Sequence, residues 1–287
     1  MGRSVRWLGL AVLLAACGDE GDGTGKVENP LPVRHEIRFR AAVNGAPFAC
    51  GKTYEAVGSP PARYIASDFR FYVHDVRLVA EDGSEVPLVL EETAFQHDGI
   101  ALLDFEDAGP TCDTGSPEVN PTIAGTALEG SYRGVRFVLG VPEDRNHVDP
   151  ALAPAPLNLT AMFWVWRGGY KFLRVDGKPA DFPEAGYHVH LGSTGCPGET
   201  PTSPPTGPCA NPNRLEVELD GLDPATGTVV ADIGAVLAAA DVTANTEGTS
   251  PGCMAAPDDP DCGTILPRLG LAHGATPAAA QVLFRGE

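Results

Sequence analysis

The sequence predicts an all-β protein, an antiparallel β-sandwich of the immunoglobulin or jelly-roll type with long disulfide-closed loops. Three observations carry that prediction. Short runs of β-branched and aromatic residues recur with rough alternation. Between them stand 27 Pro and 34 Gly, which punctuate the chain at turn spacing. Seven Cys are present, and setting aside the one near the N-terminus leaves an even number, which in an exported chain reads as a disulfide framework. Many short strands with one buried face pack into a sandwich or barrel.

The N-terminus specifies export. Arg3 and Arg6 precede the apolar run Trp7–Ala16, which falls short of the about 20 residues a spanning helix needs. A basic start, a short apolar core and small residues mark a secretory signal, residues 1–16. Leu14-Ala15-Ala16-Cys17 matches a bacterial lipobox, which makes Cys17 the lipidated first residue of the mature chain. Residues 17–32 then form a tether, because Gly18–Gly25 (GDEGDGTG) cannot bury apolar surface. Residues 33–287 show no internal repeat or composition shift and are expected to form a single β domain. The expected location is the periplasm or cell surface, with contact to a membrane through the lipid alone.

Strands are expected at Arg34–Val43, Phe69–Ala80, Val86–Leu90, Ala101–Phe105, Arg133–Val141, Leu159–Trp166, Tyr170–Val175, Gly186–Leu191, Arg214–Leu219 and Thr228–Ile233. Within Phe69–Ala80, alternation puts Tyr72, His74, Val76 and Leu78 on one face. Ile233–Asp241 is Ala-rich and free of Pro, and reads as the helix. Cys196–Pro212 and Thr249–Pro267 read as Pro-rich loops closed by their own cystines. Six Cys allow 15 pairings; loop context favours Cys50–Cys112, Cys196–Cys209 and Cys253–Cys262. Structural zinc is the rival use of these residues, but Cys-x-x-Cys is absent.

The net charge of −18 repels nucleic acid and anionic headgroups, whose binding needs Lys and Arg. No Ser-His-Asp order, phosphate loop, HExxH or EF-hand spacing stands out, so no enzyme class is indicated. The residues with chemistry to offer are His, Trp and Met. His188 and His190 lie two apart, so a strand points both imidazoles to one side, a common way to present two metal ligands. A solvated polar face is the plainer alternative. His147 sits in the turn-rich loop Asp144–Asp149, where function concentrates in sandwiches. Trp164, Trp166 and Met162 would share one strand face, as core packing or, for Met162, as a thioether for Cu(I).

The segments Met162–Phe172 (MFWVWRGGYKF) and Gly186–Cys196 (GYHVHLGSTGC) resemble the MbnP-like family, the four-Cys half of a "metallo-mystery pair" with a Trp-x-Trp signature. Asp68–Val73, Leu102–Asp107, Gly140–Pro142 and Asn146–Asp149 agree with it, so the likeness runs from about Phe39 to Arg214. The resemblance implies a copper protein that is not itself an enzyme. Its partner would be a di-haem c-type peroxidase of the MauG type, which oxidises a Trp to kynurenine. Indole Nε1 only donates, so the ring must open before an aryl amine can bind Cu(I) beside imidazoles. Carried over, Trp164 or Trp166 is the modified residue, and both are candidate metal-site residues. His190 is the first imidazole ligand, His147 the next, His188 the third and His74 a weaker fourth. Related copper proteins carry a His two residues after the modified Trp; here Trp166 or Gly168 stands there. Two other readings stay open: a surface lipoprotein binding another ligand or protein with its Trp pair in the core, and a copper enzyme.

Overall fold

Period-two burial builds most of this chain. The structure, a computed structural model, describes residues 31–287 apart from Asp113, Trp166, Pro183 and Glu184. The expected signal, Cys17 and most of the tether, like Trp166, lie outside the described residues. In chain order the strands are β1 (Pro32–Val43), β2 (Ala46–Pro47), β3 (Thr53–Val57) and β4 (Ala62–Ala80). Next come β5 (Glu85–Pro87), β6 (Val89–Leu90), β7 (Gln96–His97), β8 (Ile100–Asp104), β9 (Thr122–Leu128) and β10 (Tyr132–Leu139). After a long connection follow β11 (Leu173–Pro179), β12 (His188–Leu191), β13 (Leu215–Asp220) and β14 (Thr228–Asp232). Helix α1 (Ile233–Leu237), β15 (Gly252–Cys253) and β16 (Phe284–Gly286) complete the set. No helix among the described residues is long and apolar enough to cross a membrane.

The strands form two sheets. One runs β16-β14-β1-β9-β6, and the other β13-β10-β4-β11-β12-β15 with β3, β5 and β8 also paired to β4. Neither closes into a barrel, so the expected sandwich is the fold. Most pairs are antiparallel, but β1–β14 and β12–β15 are parallel, which makes both sheets mixed. The parallel partners lie far apart in sequence, β1 from β14 and β12 from β15, which gives room for the crossovers that parallel pairing requires. Strand β4 is the spine of the larger sheet. Phe71 pairs with both Leu173 and Leu103, and Val73 with both Leu139 and Ala101. Thus β11 and β10 follow one another along one edge of β4, and β8 lies on the other.

The main core lies between the sheets. Phe39 of β1 meets Phe71 and Phe137 at ring-centroid distances of 6.1 and 5.8 Å, and Phe284 of β16 meets the same pair at 5.4 and 5.1 Å. Truncating any one of these to Ala should cost about 3–5 kcal/mol. A second buried cluster includes Tyr72, Leu102, Val141, Met162, Tyr170 and Phe172.

Three expectations are corrected. In β4, Phe69, Phe71 and Val73 point into the main core, but so do Val76 and Leu78, while Tyr72 joins the second cluster. One extra residue enters at Asp75, whose φ is +50°, and the register against β10 shifts there. That β-bulge turns the strand over, so Tyr72 does not share a face with Val76 and Leu78. Second, the strand expected over Leu159–Trp166 does not form in its described residues, 159–165. Thr160–Met162 is a 3₁₀ turn, followed by a single bridge between Phe163 and Tyr170. Third, Val86–Leu90 divides between the two sheets as β5 and β6. The cystines pair as expected, Cys50–Cys112, Cys196–Cys209 and Cys253–Cys262.

Candidate metal centre

Strand β12 presents the paired histidines. Val189 and Leu191 enter the main core, so the pleat turns His188 and His190 to the opposite side. Their rings stack with centroids 5.8 Å apart. Neighbouring β11 places Arg174 across from His190, and Asp176 reaches both imidazoles. His190 Nε2 lies 2.5 Å from Asp176 Oδ1, and His188 Nδ1 lies 3.2 Å from the same oxygen. Arg174 donates to the other oxygen, Asp176 Oδ2, from Nε at 2.8 Å and Nη2 at 2.5 Å.

A buried polar ladder continues from there. Arg174 Nε also lies 3.1 Å from Asp68 Oδ2, and Arg70 Nε donates to Asp68 Oδ1 at 2.9 Å. Arg70 is only 1% exposed, so its charge depends on these carboxylates. Burial opposes the charge of Asp176. Hydrogen bonds to both histidines and the nearby positive charges outweigh it, and hold that carboxyl far below the usual range. Burial also pushes the His190 pKa down, against the pull of Asp176, which favours the neutral, ligating ring.

Trp164 stands beside this strand on a tight reversal. Its backbone N–H donates to Gly169 O at 3.1 Å, and the backbone N–H groups of Gly168 and Gly169 both donate to Val165 O. Gly169 adopts φ +73° to make the turn. The indole is half-buried and rests on Gly192, two residues past His190. A Cβ on Gly192 would stand 2.6 Å from Trp164 Cζ3. Trp164 also lines a cavity of about 340 Å³ with Arg167, Ser193, Thr194, Cys196 and Met254. It is therefore not enclosed in hydrocarbon. Met162, expected on the same face, is fully buried in the second cluster, because the 3₁₀ turn breaks strand alternation before Trp164. The methionine that shares the Trp164 cavity is Met254, which sequence spacing did not mark.

The remaining histidines occupy different surroundings. The His147 loop docks on the Trp164 reversal through Asn146, whose backbone O and Oδ1 both accept from Tyr170 N, at 3.3 and 3.0 Å. His147 Nε2 lies 3.5 Å from Cys209 Sγ and groups with Cys196. Those sulfurs form a cystine, so they are not thiolate ligands. His188 Nε2 leans the other way, against Gly186, where a Cβ would stand 2.6 Å from it. His74 Nδ1 donates to Gly140 O, 2.9 Å away, where β10 ends, and burial lowers its pKa. Among the described residues, both groupings of three ligand atoms within 4.8 Å include cystine sulfurs. Sequence spacing gave no signal for Asp176, which reaches His190 only through the register of β11 on β12.

Comparison with known proteins fits this arrangement. A sequence profile of the MbnP family matches residues 32–255. The solved structure of MbnP from Methylosinus trichosporium aligns with a TM-score of 0.79 at 30% identity, over 89% of this chain and 98% of that one. A search of curated proteins gives no match. The profile spans most of the sandwich and the structural likeness spans nearly all of it: the chain belongs to the MbnP family.

Proposed function

We propose that this protein is an exported, lipid-anchored copper-binding protein that is a substrate of a partner enzyme and not itself a catalyst. Trp164 would be oxidised to kynurenine by a di-haem c-type peroxidase. The new aryl amine would join His190, with His147 as the next imidazole, in holding Cu(I). Family membership supports copper. The observation that carries the proposal is local: a half-buried Trp164 on Gly192, two residues from a His190 whose Nε2 is engaged by Asp176.

The donor set fits a soft cation. Neutral imidazole and an amine suit copper, whereas Trp164 as it stands offers only an N–H. Both groupings of three His, Cys, Asp or Glu ligand atoms among the described residues include cystine sulfur, and opening the Trp164 ring would supply a further nitrogen donor. Bound Cu(I) would supply a soft, redox-capable centre. The polypeptide's part is to hold His190, to keep the indole open to its cavity, and to limit solvent around both. Cys17 would hold the mature chain at a periplasmic or surface membrane face.

Co-expression with the peroxidase and intact-mass measurement tests the proposal. Ring opening adds about 4 Da. Trp164→Phe should lose that increment and Trp166→Phe should keep it. An increment lost only with Trp166 would overturn the assignment of the modified residue. The copper reading fails if the modified chain takes up no Cu(I).

A further inference from the structure

Resting on the copper reading, we infer that Asp176 is a positioning residue that fixes His190 as its Nε2–H tautomer and so makes Nδ1 the nitrogen offered to the metal. The two oxygens of Asp176 have separate duties. Oδ2 takes both Nε and Nη2 of Arg174, and Oδ1 takes His190 Nε2 at 2.5 Å. Arg174 has no acceptor capacity, so it always requires an oxygen at that place. It cannot swing away easily. Its Nη1 donates to Ala161 O at 3.0 Å, and its Nε sits 3.1 Å from Asp68 Oδ2. The carboxylate is thereby locked in orientation, with an acceptor-only oxygen facing the imidazole.

A neutral ring that meets such an oxygen must place its proton on Nε2. The lone pair is left on Nδ1, for which the described residues show no hydrogen bond. A ligating His whose other N–H is held by a carboxylate gains a defined ring orientation and a more basic donor atom. His188 approaches the same oxygen through Nδ1, but its Nε2 packs on Gly186. His188 Nδ1 also lies 3.4 Å from the Gly177 N–H, so the carboxylate does not hold that ring alone, and only His190 turns its Nδ1 away from Asp176.

The asymmetry of Asp176 gives a sharp test, because an amide cannot serve both neighbours as a carboxylate does. In Asp176→Asn, Arg174 would claim the amide oxygen. The NH₂ group would then face His190 Nε2 and force that nitrogen to accept. The proton should move to Nδ1. Long-range ¹⁵N NMR of the metal-free full chain, labelled at His, reads this directly. Wild type should show Nε2 protonated, and Asp176→Asn should show Nδ1 protonated. Cu(I) affinity of the peroxidase-modified chain, measured by chelator competition, should fall about 10- to 100-fold in the variant. A second variant, Asp176→Ala, removes the orienting group and should give a mixture of tautomers if the chain folds. Protonation at Nδ1, or at both nitrogens, in wild type overturns the inference, as does an unchanged tautomer in Asp176→Asn. A wild-type chain with the expected tautomer and no Cu(I) binding would sink the copper reading and leave the Asp176 clamp standing.

Discussion

Gly192 lacks a side chain because Trp164 and the Tyr170 carbonyl occupy the space. A methyl group there would lie 2.6 Å from Trp164 Cζ3 and 2.7 Å from Tyr170 O. The indole could turn aside, but the backbone oxygen cannot. Gly192→Ala should therefore destabilise by about 1–3 kcal/mol through overpacking and lower the fraction of chains carrying the kynurenine mass. Thermal unfolding and intact mass check both, and an unaltered pair of values would show that Trp164 does not sit on this residue. Asp104, at the end of β8, supplies a pH prediction. Burial pushes its pKa up to about 7, against its hydrogen bond from Glu106 N–H and the charge of Arg70. The unfolded value is about 3.9. Between those two pH values the folded chain binds the extra proton, so this group's contribution to stability declines as pH rises from about 4 to about 7. Asp104→Asn keeps an acceptor for the 2.9 Å bond from Glu106 N and removes the charge. It should gain ~1–3 kcal/mol at pH 8 and less at pH 5 in urea unfolding; an equal gain at both would refute the shift. At this scale, sequence spacing alone told which histidines share a side. It could not tell that Asp176, 14 residues before His190, is their common partner, because that depends on pairing between strands.

Among the elements, β4 shows most plainly what local pattern conveys and what it does not. Its apolar residues marked a strand, yet the bulge at Asp75 reverses the faces midway, and one inserted residue leaves no compositional mark. Asp is among the few side chains that tolerate φ +50°, because its short polar group can bond locally. Asp75→Val should cost about 1–2 kcal/mol, whereas Asp75→Gly should stay within about 0.5 kcal/mol of wild type. Chemical denaturation separates the two, and equal losses would argue that the ion pair of Asp75 with Arg77 (Oδ1 to Nη2, 2.9 Å), not the backbone, holds the bulge. Similar reasons explain the other misread elements. Phe163-Trp164-Val165-Trp166 has strong strand propensity, but hydrogen bonds from Met162 N to Leu159 O and Phe163 N to Thr160 O make a turn before it, and Gly168-Gly169 reverses the chain after it. The strand Thr122–Leu128 escaped notice because Ala and Gly125 dilute its β character; a Cβ on Gly125 would stand 2.5 Å from Val89 O of the adjoining β6. Propensity is read residue by residue, while these outcomes were decided by neighbours.

The whole molecule separates a sandwich that folds by burial from loops that cystines hold, and the candidate metal centre lies where the two meet. The Pro-rich loop Cys196–Pro212 illustrates this. Its Pro201 carbonyl accepts from Arg167 N at 3.2 Å, its Cys209 sulfur lies beside His147, and Asn211 pairs with Thr194 next to the Trp164 cavity. A loop of this composition has little apolar surface to bury, so the Cys196–Cys209 link, closing a sequence separation of 13, supplies much of its order. Replacing both cysteines with Ser should cost about 2–4 kcal/mol, and the loss should be uneven. Amide exchange in β4 and β10, which sit in the main core, should show only the global change. The Trp164–Gly169 reversal and the loop itself should exchange far faster, because their openings no longer require the sandwich to unfold. Copper affinity should fall with them, since His147 lies against Cys209 and Trp164 shares its cavity with Cys196. Uniform acceleration across the sheets would mean that the cystine braces the sandwich as a whole, and that the centre is built on rigid strands alone.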